Sequence, residues 1–268
     1  MSPLAPQPKD RVLPLFGFPF WTLVRREIMR FMIVVVQTVV TPLVTAGLYL
    51  VIFVGGLGDR LHDVQEGVSY MQYLVPGLAM MGAMQHAFNN SASTILISKF
   101  QNNLVDLLVS PLTDLEIALA YSFASVTRGA LVGILTWAVT LPFGGPIPAH
   151  PFLALFLLCM SCLGFSLLGV TAGVFATKFD DVARISTFII LPFTYLGAVF
   201  IPVARYPDWI EPAAFWNPLL YCIDGLRLAF LGRSEVSLSS SLSVILGSVV
   251  VTALLSMYAW KRSTSIRT

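Results

Sequence analysis

Charge is the scarcest property of this sequence. Only 11% of its 268 residues are charged, 56% are hydrophobic, and the mean hydropathy is +0.81. Soluble domains carry about 25% charged residues, so a fully water-exposed exterior is excluded and most of the surface must face lipid. A net charge of +2 with no basic run excludes a nucleic-acid partner. Cysteine is nearly absent. Cys159 and Cys162 form a Cys-x-x-Cys step inside an apolar run, but with Cys222 as the only other thiol there is neither a second pair nor a nearby histidine to complete a metal or redox centre. They read as small helix-packing residues. None of the four lysines, Lys9, Lys99, Lys178 and Lys261, follows the glycines of a phosphate loop, so the chain has no nucleotide-binding motif of its own. The long apolar runs contain no aspartate or glutamate, although proton- or ion-coupled carriers usually place carboxylates there.

What is present is a succession of apolar helices. The beginning of the chain is not a signal peptide: Lys9 and Arg11 precede an apolar stretch broken by Pro14 and Pro19, with no small-residue cleavage site. From Pro19 to Phe31, Trp21, Val24, Ile28 and Phe31 recur at helical spacing, and Arg25, Arg26, Glu27 and Arg30 occupy other faces. That pattern predicts an amphipathic helix lying at the membrane surface, aromatics inward and arginines outward.

A spanning helix needs about 20 mostly apolar residues. Cutting the long run between Gly129 and Thr177 at its Pro-Gly cluster (Pro142, Gly144, Gly145, Pro146, Pro148, Pro151) predicts six spans, near 33–55, 70–97, 117–141, 151–177, 185–203 and 237–260. The apolar segment Ala213–Ile223 is too short to cross and is interrupted by Asn217-Pro218, which predicts a re-entrant helical pair before the last span. The fold class is therefore all-α, a single polytopic membrane domain over 1–268.

With six spans, eleven basic residues fall on one side (Lys9, Arg11, Arg25, Arg26, Arg30, Lys99, Lys178, Arg184, Lys261, Arg262, Arg267) and four on the other (Arg60, Arg205, Arg227, Arg233). The positive-inside rule places both termini in the cytoplasm. On the opposite side, Trp209, Trp216 and Tyr221 suit a headgroup region.

If such a chain transports, a separate ATPase is its natural engine and needs a surface to push on. Lys99–Glu116, KFQNNLVDLLVSPLTDLE, predicts one. Phe100, Leu104, Leu107 and Leu108 form an apolar stripe, Gln101, Asn102, Asn103 and Asp106 lie alongside, and Ser110-Pro111 ends the helix. The same pattern also fits a helix resting on lipid headgroups. Three polar groups inside the membrane stand out. Arg128 lies mid-span, where a charge must be paired or face water. It reads either as a conduit or interface residue or as a structural partner of backbone carbonyls. His86, Asn89 and Asn90 share one face of the second span and read first as helix–helix hydrogen-bonding groups. Asp224 and Arg227, three residues apart, are placed to pair locally. Asp180 and Asp181 sit in a short turn that faces either an ATPase or solvent. An intramembrane protease built on Ser166 and His86 has no supporting motif. The main alternative is an ion-coupled carrier or channel without an ATPase partner.

The sequence resembles the membrane subunits of type-2 ABC exporters, and within them the YadH-like branch. The resemblance covers nearly the whole chain. It is carried by VSYMQYLVPGL (Val68–Leu78), KFQNNLVDLLVSPL (Lys99–Leu112), ARISTFIILPFTYLGAVF (Ala183–Phe200) and WNPLLYCIDGLR (Trp216–Arg227). It implies a permease of the bacterial inner membrane that pairs with a second copy of itself. It further implies two cytoplasmic ATPase subunits that bind ATP and Mg, this chain holding no cofactor. It makes Lys99–Pro111 a coupling helix, with Phe100, Gln101, Asn102, Asn103, Leu104, Asp106 and Leu107 contacting the ATPase and Arg25 and Arg26 assisting. Trp216, Asn217, Pro218, Tyr221, Asp224 and Arg227 would belong to the extracellular re-entrant helices. A hydrophobic or amphipathic substrate is expected.

Overall fold

The computed structural model describes residues 16–33, 35–57, 67–101, 110 and 112–265. Every regular element among them is helical. We number them α1 (Phe18–Ile33), α2 (Val35–Tyr49), α3 (Tyr70–Phe100), α4 (Asp114–Thr140), α5 (Pro151–Phe175), α6 (Phe179–Ile185), α7 (Glu211–Phe215), α8 (Pro218–Leu231) and α9 (Leu238–Ser265). A π-helical turn, Leu50–Val54, prolongs α2, and another, Ser186–Ile190, carries α6 into a last helical turn at Leu191–Tyr195.

Local chemistry sets the boundaries. Ser69 and Gln72 form a reciprocal capping box at the start of α3, and Thr113 and Glu116 do the same for α4. Pro151 and Pro218 open α5 and α8 at a position whose N–H would have no helical partner. The Asn217-Pro218 step is thus a helix start: the Asn217 Oδ1 accepts from the Leu219 N–H at 3.0 Å. Gly232, at φ 68°, takes the left-handed conformation that ends α8.

The centre of the bundle is α3, packed between α4 and α5 and touched by α8. Two glycines one turn apart on α5, Gly169 and Gly173, let α5 approach the α3 backbone. A Cβ on Gly173 would lie 2.7 Å from the Ala92 carbonyl oxygen. Across the same contact the Ser91 hydroxyl donates to the Ser166 carbonyl at 2.7 Å. Close small-residue packing with polar cross-links is how helices associate in lipid, where burial of apolar surface gives no net gain. The outward faces are apolar: Val44 and Leu48 on α2, Phe152 and Phe156 on α5, Phe188 and Ile189 beside α6, Val250 and Leu254 on α9.

Among the described residues, three helical stretches are long and apolar enough to span a bilayer: Asp114–Phe143, Pro151–Phe175 and Leu238–Arg262. The helix α3 is longer still but diluted by Gln, His, Asn and Ser, and the apolar helical part of α2 is the shorter Val40–Ile52. The expected fifth span, 185–203, is not one helix. Helical structure ends at Tyr195, and the uncharged part reaches only roughly 16 Å at 1.5 Å per residue. Beyond it Ala198 adopts φ 57°, reversing the chain.

The helix α1 also departs from its expected orientation. Phe20, Leu23, Val24 and Phe31 are buried, but so is Glu27, while Trp21 is 60% exposed. The reason is electrostatic: Glu27 is buried at the α1–α4 side of the bundle and draws Arg26 and Arg30 around it. Of the basic residues on α1, Arg25 and Arg26 stay exposed as expected and Arg30 is half-buried.

Candidate conduit and coupling elements

Helix α3 is enclosed on most of its circumference. The residues left half-open between Gly82 and Ser93 are Gly82, Gln85, His86, Asn89 and Ser93, a single helical stripe that is polar almost throughout. The open face of α5, by contrast, carries Phe152, Leu155 and Phe156. Its upper part opens into a cavity of about 190 Å³ between α2, α3 and α4, to which Thr41, Thr45, Tyr49, Gln85, His86 and Thr136 contribute polar groups.

Asn90 and Thr94, buried beside this stripe and one turn apart on α3, hold two arginines. Arg128 Nη1 of α4 donates to Asn90 Oδ1 at 2.8 Å, and Asn90 Nδ2 donates to Ser125 Oγ at 2.9 Å. Arg30 of α1 donates to the Thr94 hydroxyl and pairs with Glu27 at 3.3 Å. Arg26 pairs with the same carboxylate at 3.0 Å and reaches the Tyr121 hydroxyl at 3.5 Å. Two guanidiniums, Arg26 and Arg30, therefore share one carboxylate, while Arg128 is held by Asn90. The structure joins Arg128 and Asn90 directly. It places His86 in the cavity, and Asn89 on the open stripe.

At the far end of α3, Lys99 donates through Nζ to the carbonyls of Val174 and Ala176, where α5 ends. Phe100 packs on Phe179 at the start of α6, ring centroids 5.6 Å apart. Gln101 closes α3 through its backbone N–H, bonded to Ile97 O at 3.0 Å. The segment that follows is thus attached at its root to both α5 and α6. Asn102, Asn103, Leu104, Asp106 and Leu107 lie outside the described residues. In the α5–α6 turn, Asp181 accepts from the backbone N–H and hydroxyl of Thr177 and from the N–H of Lys178, all at 3.0–3.1 Å. Those bonds hold its carboxyl below the usual carboxylate range.

The opposite end of the bundle carries a second polar centre, built on the buried Tyr73, Asp224 and Arg227. Arg227 pairs with Asp224 at 3.3 Å, donates to Ala198 O at 2.8 Å and lies over the ring of Tyr73. Asp224 accepts from the N–H groups of Glu235 and Val236, and Glu235 accepts from Val203 N–H at 3.0 Å and Tyr73 hydroxyl at 3.4 Å. Asn217 is buried and donates to Phe193 O, Tyr221 donates to Phe215 O, Pro218 is half-buried, and Trp216 points outward at 89% exposure. Sequence reasoning missed Tyr73, Glu235, Glu27, Arg30 and Gln85 as members of these sites. For Gln85 the signal was its place on the His86–Asn89–Ser93 stripe, and for Glu27 its position among three arginines. Nothing in the local pattern pointed to Tyr73 or Glu235.

A helical bundle with a polar open stripe along its central helix has a recognised counterpart. The ABC-2 type transporter family matches residues 19–231. The chain belongs to the ABC-2 type transporter family. Among relatives of this ABC-2 chain, the inner membrane transport permease YadH of Escherichia coli K12 is 40% identical over 244 residues, covering 90% of this chain and 94% of that protein. Nodulation protein J of Rhizobium leguminosarum bv. viciae is 24% identical over 93% of this chain and 96% of its own length. The probable multidrug ABC transporter permease YbhR of Escherichia coli K12 is 26% identical over 64% of this chain and 47% of its own. As a family member the ABC-2 chain is a membrane permease, the transport subunit of an ABC transporter.

Proposed function

We propose that this permease is the membrane subunit of an ATP-driven exporter of the bacterial inner membrane. Two copies pair, two cytoplasmic ATPase subunits that bind ATP and Mg drive them, and the cargo is hydrophobic or amphipathic. The whole chain, 1–268, acts as one transmembrane domain with six crossings, both termini cytoplasmic and α7–α8 re-entrant from outside. The supporting observation is the half-open polar stripe of α3. Gln85, His86, Asn89 and Ser93 facing lipid would be costly, so they face a wet pathway or a second copy, and a pathway between two copies satisfies both.

The mechanism follows from how the bundle is tied. ATPase closure pushes on the segment around Gln101–Asp106, with Arg25 and Arg26 of α1 as a second contact. Because Lys99 and Phe100 fasten the root of that segment to α5 and α6, the push moves three helices together. The π-helical turn Ser186–Ile190 supplies a point of give. ATP binding then shifts the population from an inward-open to an outward-open arrangement.

The experiment is co-expression with the neighbouring ATPase and measurement of ATP hydrolysis in lipid vesicles, wild type against Leu104→Asp combined with Leu107→Asp. Co-purification with the wild type, lost or uncoupled in the variant, is the expected outcome. A wild-type permease that associates with no ATPase would sink the exporter reading and leave a channel or carrier.

A further inference from the structure

Two intramembrane arginines are treated very differently by this fold. Arg227 has an aspartate, two carbonyl groups and an aromatic face around it. Arg128, near the middle of α4, has a single hydrogen bond, to Asn90, and its buried Nε has no partner. No carboxylate among the described residues pairs with it. Its anchor, Asn90, lies one turn from Thr94, which holds Arg30, so the two anchors are separated by about 6 Å along α3. With Arg26, which shares Glu27 with Arg30, the cluster holds three guanidiniums and one carboxylate. A charge inside a membrane protein is retained where it meets an opposite charge or water. This cluster has unused donors and an excess of two positive charges.

We propose that Arg30 and Arg128 bind the anionic headgroup of an amphiphile, a phosphate carried on a hydrocarbon tail. Guanidinium forks match tetrahedral and carboxylate oxygens in pairs. The tail has a place as well: Met29, Met32 and Ile33, beside Arg30 on α1, are apolar and exposed. An amphiphile seated here keeps its chain in hydrocarbon while its head enters between α1, α3 and α4, beside the polar stripe. This assignment rests on the exporter reading, whose cargo class it narrows to anionic amphiphiles.

The test uses the full-length permease purified in an uncharged detergent. Its thermal unfolding is followed during titration with dodecyl phosphate, inorganic phosphate, dodecyltrimethylammonium and dodecyl maltoside. Dodecyl phosphate alone is expected to raise the melting temperature. The half-saturating concentration should rise at least tenfold in Arg128→Gln and in Arg30→Gln, and stay within about threefold of wild type in Arg128→Lys. An unchanged titration in both glutamine variants overturns the site. So does equal stabilisation of wild type by dodecyltrimethylammonium, a comparison that holds even where the glutamine variants fail to fold. An equal response to inorganic phosphate overturns the amphiphile in favour of a free anion. Binding here needs no ATPase, so failure of ATPase association removes the exporter reading without altering this readout. Conversely, a permease that couples to its ATPase yet ignores dodecyl phosphate loses only this site.

Discussion

The guanidinium carbon of Arg227 lies 3.7 Å from the centroid of the Tyr73 ring, and both side chains donate to one oxygen, the carbonyl of Ala198. Three segments distant in sequence meet at that point: the start of α3, the reversal after Tyr195 and helix α8. The contact fixes an otherwise unfavourable backbone, since Ala198 sits at φ 57° without being glycine. It also gives the buried Asp224 a counter-charge, and Asp224 in turn holds the N–H groups that lead into α9. That end of the bundle is therefore closed by one connected polar centre.

Arg227→Gln leaves Asp224 buried without its counter-charge. The expected loss is about 3 to 5 kcal/mol of stability, read as a large drop in thermal midpoint or in yield of monodisperse protein. Tyr73→Phe removes the one hydroxyl proton shared between Ala198 O and Glu235 Oε1 but keeps the ring under Arg227, and should cost only about 1 to 2 kcal/mol. Equal effects of the two substitutions would contradict the central place given to the ion pair.

The packing of α3 against α5 and α4 depends on absent side chains. Gly173→Ala puts a methyl 2.7 Å from the Ala92 carbonyl, and Gly129→Ala puts one 2.6 Å from that of Ala83 on the α3–α4 side. Backbone cannot yield as a side-chain tip can, so each should cost about 1 to 3 kcal/mol. Gly247→Ala, which meets nothing within 4 Å on α9, serves as the control and should leave the melting temperature unchanged or slightly raised.

If two copies enclose the polar stripe, single cysteines at Asn89 or Ser93 will cross-link between copies in the membrane. A cysteine at Val250, on the apolar outer face of α9, will not. The native thiols Cys162 and Cys222 are buried and Cys159 is half-buried, so the wild-type background should be low. Denaturing gels after mild oxidation read the outcome, and cross-linking at Val250 alone would move the dimer contact to another face.

Asp181 provides a pH test. Its carboxyl is held below the usual range by the Thr177 and Lys178 donors, so its folded-state pKa lies under its unfolded value. That contribution is fully present above the unfolded pKa, about 3.9, and disappears as pH falls through the folded one. Asp181→Asn should therefore melt below wild type at pH 6, and the two curves should converge under strongly acidic conditions. A gap that stays constant into acid would mean that the carboxylate charge is not what matters.

Much of this molecule was legible in one dimension. Scarce charge and long apolar runs require a lipid-facing exterior whatever the fold, because there are too few polar groups to cover a surface in water. The helices near 70–97, 117–141, 151–177 and 237–260 follow from run length and from the capping and proline signals at their starts, which act within a few residues. The stripe of His86 and Asn89 follows from helical periodicity alone. Tertiary structure decided the rest. Whether an arginine is satisfied depends on which carbonyls and carboxylates other segments bring to it, and that separates Arg227, enclosed by Asp224, Tyr73 and Ala198, from Arg128, held by Asn90 alone. The inward turn of Glu27 and the early end of the helix at Tyr195 have the same origin. Each is a local preference overruled by a partner distant in sequence: Tyr121 and Thr94 for the α1 cluster, Tyr73 and Arg227 for the Ala198 reversal. Local spacing cannot encode such partners, because the free energy that fixes them is gained only after the helices have packed.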